Sequence, residues 1–271
     1  MDAALSTPAK VIRWDGRRAT PGDDELAAEE PLEIRVRGRA ISVTMRTPGH
    51  DAELAAGFLL TEGVIRSAAD IEHTEHCAAN EPGNILNIRL APLVHVDFER
   101  LTRHVFASSS CGLCGKATIE ALRSGGVCKP IVSEATITAA ALSSLPARLR
   151  EAQDAFARTG GLHAAGLFDT RGEPIVIRED IGRHNAVDKV IGRSLLNDRL
   201  PLSDTALLVS GRASFEIMQK ACAAGIPIVA AVSAPSSLAA EFAEEMGQTL
   251  VGFLRDGRMN IYSHPRRITF P

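Results

Sequence analysis

The chain has 271 residues, of which 45% are apolar and 23% are charged, and its formal net charge is −3. This balance is typical of a globular protein with one large or two ordinary domains, and it excludes a disordered or fibrous chain. A slightly acidic chain has no overall positive field that attracts nucleic acid, and aromatic residues, at 4%, are too few for rows of base-stacking side chains. We therefore expect no nucleic-acid partner.

The apolar segments and the cysteines indicate where the protein works. The first residues, MDAALSTPAKVIRW, contain an early acid and no apolar core, so we expect no signal peptide. The longest apolar run, 221–232, contains Gly225 and Pro227 and predicts a buried helix-to-strand junction rather than a membrane span. Five unevenly spaced cysteines do not resemble a secreted disulfide framework. The sequence thus predicts a cytoplasmic protein with reduced thiols and no membrane partner.

The first part of the chain predicts an α+β unit. Alternating apolar residues on both sides of Gly38 predict a β-hairpin, and the residues expected on its buried face are Leu32, Ile34, Val36, Ile41, Val43 and Met45. Residues 47–65 predict a helix with Asp51 as its N-cap, and its apolar face contains Leu54, Phe58 and Leu59. Residues 85–90 and 93–98 predict a second pair of strands around Pro92.

The second part alternates short runs rich in valine and isoleucine with helical patterns. Residues 136–159 predict a helical segment interrupted at Pro146. Strands are expected at 161–168, 174–178, 206–210, 227–233, 249–254 and 259–263, and helices at 183–196, 214–225 and 236–247. This order predicts an α/β fold with a mostly parallel sheet covered on both faces. The helix-breaking residues of GGVCKP place a domain boundary near residue 130, which divides the chain into domains 1–130 and 131–271.

Two thiols, Cys111 and Cys114, stand three residues apart in the segment SSSCGLCGKATIE. A C-x-x-C pair is often half of a zinc site, but no second pair of ligands follows it. The fragment HTE at 73–75 followed by C-x-x-C imitates the zinc deaminase signature, although Ser110 replaces the expected proline. Both fragments also precede the region of alternating strands and helices. We therefore expect no zinc in this protein.

Two other interpretations of the pair remain. A thioredoxin-like disulfide requires the pair to begin a helix directly after a strand, whereas VFASSS is a weak strand and the composition predicts a mobile loop. A nucleophilic thiolate is the third interpretation, because a predicted helix start and Lys116 would both lower the pKa of a nearby thiol. We favour this interpretation, with Cys111 and Cys114 as the catalytic residues. The other cysteines, Cys77, Cys128 and Cys222, are expected to be small core residues.

Two segments of the second part have the pattern of an anion site. In FLRDGR, 253–258, Asp256 and Gly257 predict a tight hairpin turn between Arg255 and Arg258, which could pair with phosphates. An exposed hairpin tip with two incidental arginines explains this segment equally well.

The other segment, VSGRASFE at 209–216, predicts the end of a strand and the start of a helix, with Ser214 as N-cap and Arg212 exposed at the turn. An ordinary turn is again an equal alternative. His184 receives no role, since it could donate a proton, bind a cofactor or simply lie in the first turn of a helix that Asp180 caps.

Six ordered blocks of the chain resemble the formate dehydrogenase accessory sulfurtransferases, or FdhD sulfur carriers. They are GFLLTEGVI, CGLCG, EDIGRHNAVDKVIG, LLVSGRASFEIMQKA, AVSAPSSLA and LVGFLRDGRMNIYSHPRR. The resemblance implies a cytidine-deaminase-like three-layer αβα domain after a smaller α+β domain, in a homodimer without zinc. It also implies a carrier that takes persulfide sulfur from a cysteine desulfurase, with the persulfide on Cys111.

By the same resemblance, the carrier passes sulfur to the molybdenum (or tungsten) bis-guanine-dinucleotide cofactor before this cofactor enters the formate dehydrogenase catalytic subunit. GDP is then a partial mimic of the cofactor. The cofactor-binding residues that the resemblance implies are Phe253, Leu254, Arg255, Asp256, Gly257 and Arg258. The alternative function is a cofactor-binding chaperone for a molybdoenzyme in which both thiols are dispensable.

Overall fold

A computed structural model describes residues 5–77, 83–98, 101 and 128–271. Cys111 and Cys114 lie outside the described residues. Within the described segments, no helix is long and apolar enough to cross a membrane.

The described part of the chain forms four sheets with helices between and around them. The strands are β1 (Ser6–Trp14), β2 (Ala19–Ala27), β3 (Glu30–Val36), β4 (Arg39–Arg46), β5 (Ile71–His76), β6 (Ile85–Leu90), β7 (Ile137–Thr138), β8 (His163–Asp169), β9 (Pro174–Asp180), β10 (Thr205–Val209), β11 (Ile228–Ala231), β12 (Thr249–Arg255), β13 (Arg258–Ser263) and β14 (Ile268–Thr269). The α-helices are α1 (Asp51–Thr61), α2 (Ala139–Glu151), α3 (Asp154–Thr159), α4 (Arg183–Leu196), α5 (Phe215–Ala223) and α6 (Ser237–Glu245).

The largest sheet has six strands in the order β13-β12-β11-β10-β8-β9. Only the pairs β10–β11 and β11–β12 are parallel, and the other three pairs are antiparallel. The prediction of a mostly parallel sheet is therefore wrong. Parallel neighbours need a helical crossover, whereas short turns join β8 to β9 and β12 to β13 and make these neighbours antiparallel. Helices α4, α5 and α6 contribute to the apolar cluster on one face and α2 to the cluster on the other, so the three predicted layers are present.

The first part of the chain forms a smaller sheet, in the strand order β4-β3-β6-β5, before the strands of the large sheet. The predicted hairpin is confirmed, since β3 and β4 are antiparallel and Arg37 and Gly38 both have positive φ. Val43 and Met45 are each 47% exposed, however, and not buried as predicted. The pairing of β3 with β4 shifts between Ile34 and Arg35, where a bulge adds one residue to β4. The extra residue reverses which face of the sheet the following side chains of β4 occupy.

Other local predictions are wrong for identifiable reasons. Residues 93–98 form no strand, and β6 pairs instead with β5 and β3, while Leu93 is 98% exposed. Asp51 is the first residue of α1 rather than its N-cap, which is His50, because the Asp51 carboxylate binds the buried Arg46 guanidinium. Helix α2 continues through Pro146, since Leu142, Leu145 and Leu149 bury its apolar face.

One apolar cluster connects the two sheets. It contains Leu32 and Ile88 of the small sheet, Leu54 of α1, Val190 of α4 and Leu207 of the large sheet, and all of these are buried. The division of the chain at residue 130 stays a prediction, but the two parts share this core. Cys222 belongs to the same cluster and the half-buried Cys128 packs against it, whereas the half-buried Cys77 is not part of this core, contrary to the prediction.

Helices α1 and α4 pack with their backbones in contact at two glycines. A Cβ atom on Gly57 would lie 1.9 Å from the carbonyl oxygen of Asp188, and one on Gly192 would lie 1.8 Å from that of Glu53. Buried ion pairs surround this contact: Lys220 binds Asp188 at 2.8 Å, and Arg178 binds Glu53 at 2.6 Å. Burial would raise the pKa of Glu53, but hydrogen bonds from His50 and Arg178 lower it to about 2, so the carboxylate stays ionised.

Replacement of Gly57 by alanine should lower the free energy of unfolding by about 3 kcal/mol or more, because the added methyl group meets backbone that cannot rotate away. Urea denaturation measures the change. The matched control is Gly22→Ala, where the added carbon would meet only the flexible Arg13 side chain and the change should stay within about 0.5 kcal/mol. Equal unfolding midpoints for the two variants would show that α1 and α4 are not in backbone contact.

Candidate functional site

The candidate site lies at one edge of the large sheet, which we call the carboxyl edge. Strands β9, β10, β11 and β12 end here, and the antiparallel strands β8 and β13 begin here. Ligands of open α/β sheets bind outside the carboxyl ends of the parallel strands. Both segments with an anion-site pattern, 209–216 and 253–258, lie at this edge.

The segment 253–258 forms the tip of the β12–β13 hairpin. Asp256 and Gly257 have φ of 52° and 70°, which confirms the predicted tight turn. Arg255 and Arg258 are exposed at its two sides, and within the described residues neither side chain has a hydrogen bond or ion pair. Leu254 is fully buried in the core, so only its backbone could face a ligand.

A bulge in β12 connects this hairpin to the neighbouring strand-to-helix turns. Phe253 has a positive φ of 52°, which is uncommon for a bulky residue, and its N–H donates to the Ser233 carbonyl at 3.1 Å. The turn that contains Ser233 is joined to the next one, since the Ser236 N–H donates to the Ala213 carbonyl at 3.0 Å. The hairpin, the turn after β11 and the turn after β10 therefore form one continuous hydrogen-bonded surface.

A cluster of polar side chains extends this surface, and we call it the histidine cluster: His163, Arg183, His184, Ser214 and Glu216. The His184 Nε2 atom lies 3.4 Å from the Ser214 hydroxyl and 3.4 Å from the Glu216 carboxylate. The backbone of Gly211 lies beside the cluster, since a Cβ atom on this residue would be 3.4 Å from His163 Nδ1 and 3.8 Å from Arg183 Cδ.

Local turns set the positions of these residues. Asp180 at the end of β9 accepts a hydrogen bond from the Gly182 N–H at 2.8 Å, which fixes the start of α4 and thus Arg183 and His184. Ser214 is the N-cap residue of α5, as predicted, but its side chain makes no capping hydrogen bond and faces His184 instead. The helix N-termini of α4 and α5 both lack a side-chain cap.

Both histidines of the cluster are held in the neutral form. Burial, with smaller contributions from the charges of Arg183 and Lys220 and from the neighbouring His163, lowers the pKa of His184 to about 3. Burial also lowers the pKa of His163, Arg183 adds to this effect, and Asp180 opposes it. The charges of Arg183 and Lys220 thus act on His184 in the same direction as burial.

The arrangement excludes a catalytic serine triad. A triad histidine contacts the nucleophile through one ring nitrogen and the carboxylate through the other. Here the same nitrogen of His184, Nε2, faces both Ser214 and Glu216. Neutral histidines beside an arginine and free helix N–H groups are instead suited to binding an oxyanion.

The described residues contain no group of three or more histidine, cysteine, aspartate or glutamate side chains that could hold a metal ion. The HTE fragment lies on the edge strand β5, where His73 and Glu75 point into solvent. Whether Cys111 and Cys114 bind zinc lies outside the described residues, and the absence of zinc stays a prediction.

Comparison with known proteins assigns the chain to a family. Residues 27–269 match the model of the FdhD/NarQ family. The chain belongs to the FdhD/NarQ family. It is 55% identical over 269 residues to a sulfur carrier protein FdhD of Mycolicibacterium paratuberculosis, with 97% of this chain and 99% of that protein covered.

More distant relatives match over the same extent. A sulfur carrier protein FdhD of Sulfolobus acidocaldarius is 45% identical over 254 residues, with 94% of each chain covered. A crystal structure assigned as a formate dehydrogenase accessory protein of Desulfotalea psychrophila has a TM-score of 0.78 and 26% identity, and it covers 98% of this chain and 100% of its own. The α/β fold is thus that of the family.

Sequence reasoning missed His163, Arg183 and Glu216 as site residues. His163 begins β8, Arg183 follows β9 and Glu216 follows β10, and these positions become neighbours only when the strand order is known. The one usable signal was the run RH directly after a predicted strand and turn, because such a position faces the carboxyl edge.

Proposed function

We propose that this protein is a sulfur carrier that takes a sulfur atom from a cysteine desulfurase and delivers it to the molybdenum bis-guanine-dinucleotide cofactor of a formate dehydrogenase. The observation that carries the proposal is the full-length match to the FdhD/NarQ family, whose curated relatives are named sulfur carriers. The pair Cys111 and Cys114 in this chain supplies the thiol chemistry that such a carrier needs.

Sulfur transfer needs two steps. In the first, the Cys111 thiolate attacks the outer sulfur of the desulfurase persulfide, so the new bond forms at Cys111 and the desulfurase leaves as a thiolate. In the second, the Cys114 thiolate attacks the inner sulfur of the Cys111 persulfide, which forms a disulfide and expels hydrosulfide toward the cofactor. A dithiol reductant then returns both cysteines to thiols by supplying two electrons.

The cargo is held at the carboxyl edge in this proposal. The exposed hairpin tip with Arg255 and Arg258 offers two guanidinium groups for phosphates of the guanine dinucleotide. The positive φ of Phe253 and the hydrogen bond from its N–H to the Ser233 carbonyl fix the position of this tip beside the turn after β11. The cofactor is substrate here, and the chain's residues bind and orient it rather than react with it.

The partners follow from the same chemistry. The carrier must contact a cysteine desulfurase to be loaded and the formate dehydrogenase catalytic subunit, or its cofactor, to be unloaded. We place these encounters in the cytoplasm, where thiols remain reduced. We also propose that the carrier is a homodimer without structural zinc.

Replacement of single cysteines should separate the two sulfur roles. Incubation with a cysteine desulfurase and cysteine, followed by peptide mapping, should show a bound sulfane sulfur on Cys111. We expect Cys111→Ser to abolish loading, because the accepting thiolate is lost. Cys114→Ser should load normally but deliver sulfur poorly, because no neighbouring thiol releases it.

Cys222→Ser is the matched control, since this thiol is buried and a hydrogen bond with Cys128, together with burial, raises its pKa. It should load and deliver sulfur normally. Full loading of a variant without Cys111 and Cys114 would refute sulfur transfer through this pair. Unchanged maturation of formate dehydrogenase with that variant would favour the alternative, a cofactor-binding chaperone.

Removal of both hairpin arginines should weaken GDP binding. The double variant Arg255→Ala with Arg258→Ala loses two charge-assisted contacts, each worth about 1.5–3 kcal/mol, so affinity should fall at least about a hundredfold. Thermal stability should not change, since both side chains are exposed and unpaired within the described residues. Isothermal titration with GDP measures the effect.

The control for this variant is Arg17→Ala with Arg199→Ala, which removes two exposed arginines elsewhere. Its GDP affinity should equal that of the unchanged protein. If the two double variants bind GDP equally well, the nucleotide does not bind at the hairpin tip.

A further inference from the structure

We infer that Cys128 and Cys222 form a reversible disulfide, which fastens residue 128 to α5 when the protein is oxidised. Neither thiol takes part in the sulfur transfer proposed above, so the inference does not rest on that function. Cys128 follows the segment of Cys111 and Cys114 in the chain. The disulfide would therefore restrain the chain directly after the sulfur-transfer pair.

Each of the two thiols contacts the main chain beside the other cysteine. The Cys128 thiol donates to the Gln219 carbonyl at 3.5 Å, and Gln219 lies one turn before Cys222 on α5. The Cys222 thiol donates to the Lys129 carbonyl at 3.4 Å, and Lys129 directly follows Cys128. These reciprocal contacts hold the two cysteines next to each other, although they are far apart in the sequence.

The two side chains are also in direct contact. A hydrogen bond between the Cys128 and Cys222 thiols, together with burial, raises the pKa of Cys222. A disulfide requires two cysteines whose side chains already approach each other, because larger separations demand movement of the backbone. Thiols that share a hydrogen bond meet this requirement through small side-chain rotations. The folded chain thus places the pair in position for a covalent bond.

The different environments of the two thiols assign their roles. Cys222 is 4% exposed, whereas Cys128 is only half-buried, so an oxidant from solvent reaches Cys128 first. The raised pKa of Cys222 keeps this group in the thiol form, which does not start thiol–disulfide exchange. Cys128 is therefore the attacking residue, and Cys222 is the resolving residue.

The oxidant is a low-molecular-weight disulfide, for example oxidised glutathione. The Cys128 thiolate attacks one of its sulfur atoms, so a mixed disulfide forms on Cys128 and one glutathione leaves as a thiolate. Cys222 then loses its proton to the released thiolate and attacks the Cys128 sulfur, which expels the second glutathione. The two cysteines lose two electrons and two protons in total, and the oxidant becomes two molecules of reduced glutathione.

Peptide mapping of the oxidised protein tests the linkage. The full chain with Cys111→Ser and Cys114→Ser is equilibrated in a glutathione redox buffer, its remaining thiols are alkylated, and it is digested without reduction. We expect one peptide pair in which Cys128 is joined to Cys222, and dithiothreitol should separate it. Because this variant lacks the sulfur-transfer pair, the result is independent of the proposed function, and a failure of sulfur loading would leave the linkage in place.

The equilibrium between dithiol and disulfide tests whether the fold brings the thiols together. A disulfide that closes a long stretch of chain stabilises the folded state, and by thermodynamic linkage the folded state favours the disulfide to the same extent. We expect the ratio of disulfide to dithiol in one glutathione buffer to be at least about tenfold higher in the folded protein than in concentrated urea.

Cys77→Ser is the matched control, since Cys77 is also half-buried but follows β5 in the small sheet. It should leave the linkage and its equilibrium unchanged, whereas Cys128→Ser should give no linked peptide. Linkage of Cys77 to either cysteine, a Cys222 that stays reduced, or equal ratios in buffer and in urea overturns the inference. If the variant without Cys111 and Cys114 does not fold, the same mapping of the unchanged protein decides with the same expected and contrary results.

Discussion

The backbone contact between α1 and α4 is the constraint on which the candidate site depends. At Gly57 and Gly192 each helix touches the other's carbonyl groups, so neither helix can shift without a clash. Two buried ion pairs connect α4 to its other neighbours: Lys189 of α4 pairs with Asp180 of β9, and Asp188 of α4 pairs with Lys220 of α5. Loss of one partner of such a pair leaves a buried charge, which is far more costly than the pair is stabilising. The first turn of α4, which begins the site, is therefore held in place by its own helix packing.

This packing also determines the charge of the carboxyl edge. Because Asp180 and Asp188 are used by the lysines that hold α4, neither neutralises Arg183. The same lysine that holds α5 against α4, Lys220, also lowers the pKa of His184, after burial and Arg183. Lys220 therefore belongs to the structural ion-pair network and also acts on a residue of the site. The bulge at Phe253 and the bridge between Ala213 and Pro235 then connect this site to the hairpin of Arg255 and Arg258.

Local patterns predicted most elements of the second half, because short β-branched runs and amphipathic helices bury one face each; helix 183–196 has the predicted bounds. Strand direction was not predictable from such runs, because an antiparallel strand that is covered on both faces, such as β8, is as continuously apolar as a parallel one. The turn at Asp256 and Gly257 was predictable because only positive φ closes it. The histidine cluster was not, because His163 and Arg183 meet only through the antiparallel pairing of β8 with β9. Asp51 was mistaken for a cap because its partner, Arg46, comes from a neighbouring strand.

The central claim is that one molecule carries sulfur on its cysteine pair and delivers it to a nucleotide cofactor bound at the carboxyl edge. The most direct test loads the protein with radiolabelled sulfur through a cysteine desulfurase, removes the desulfurase and free cysteine, and adds the molybdenum bis-guanine-dinucleotide cofactor. Our account predicts that the label leaves the protein and appears on the extracted cofactor, and that excess GDP slows this transfer. Label that stays on the protein, or reaches the cofactor equally fast from free persulfide without the protein, would contradict it.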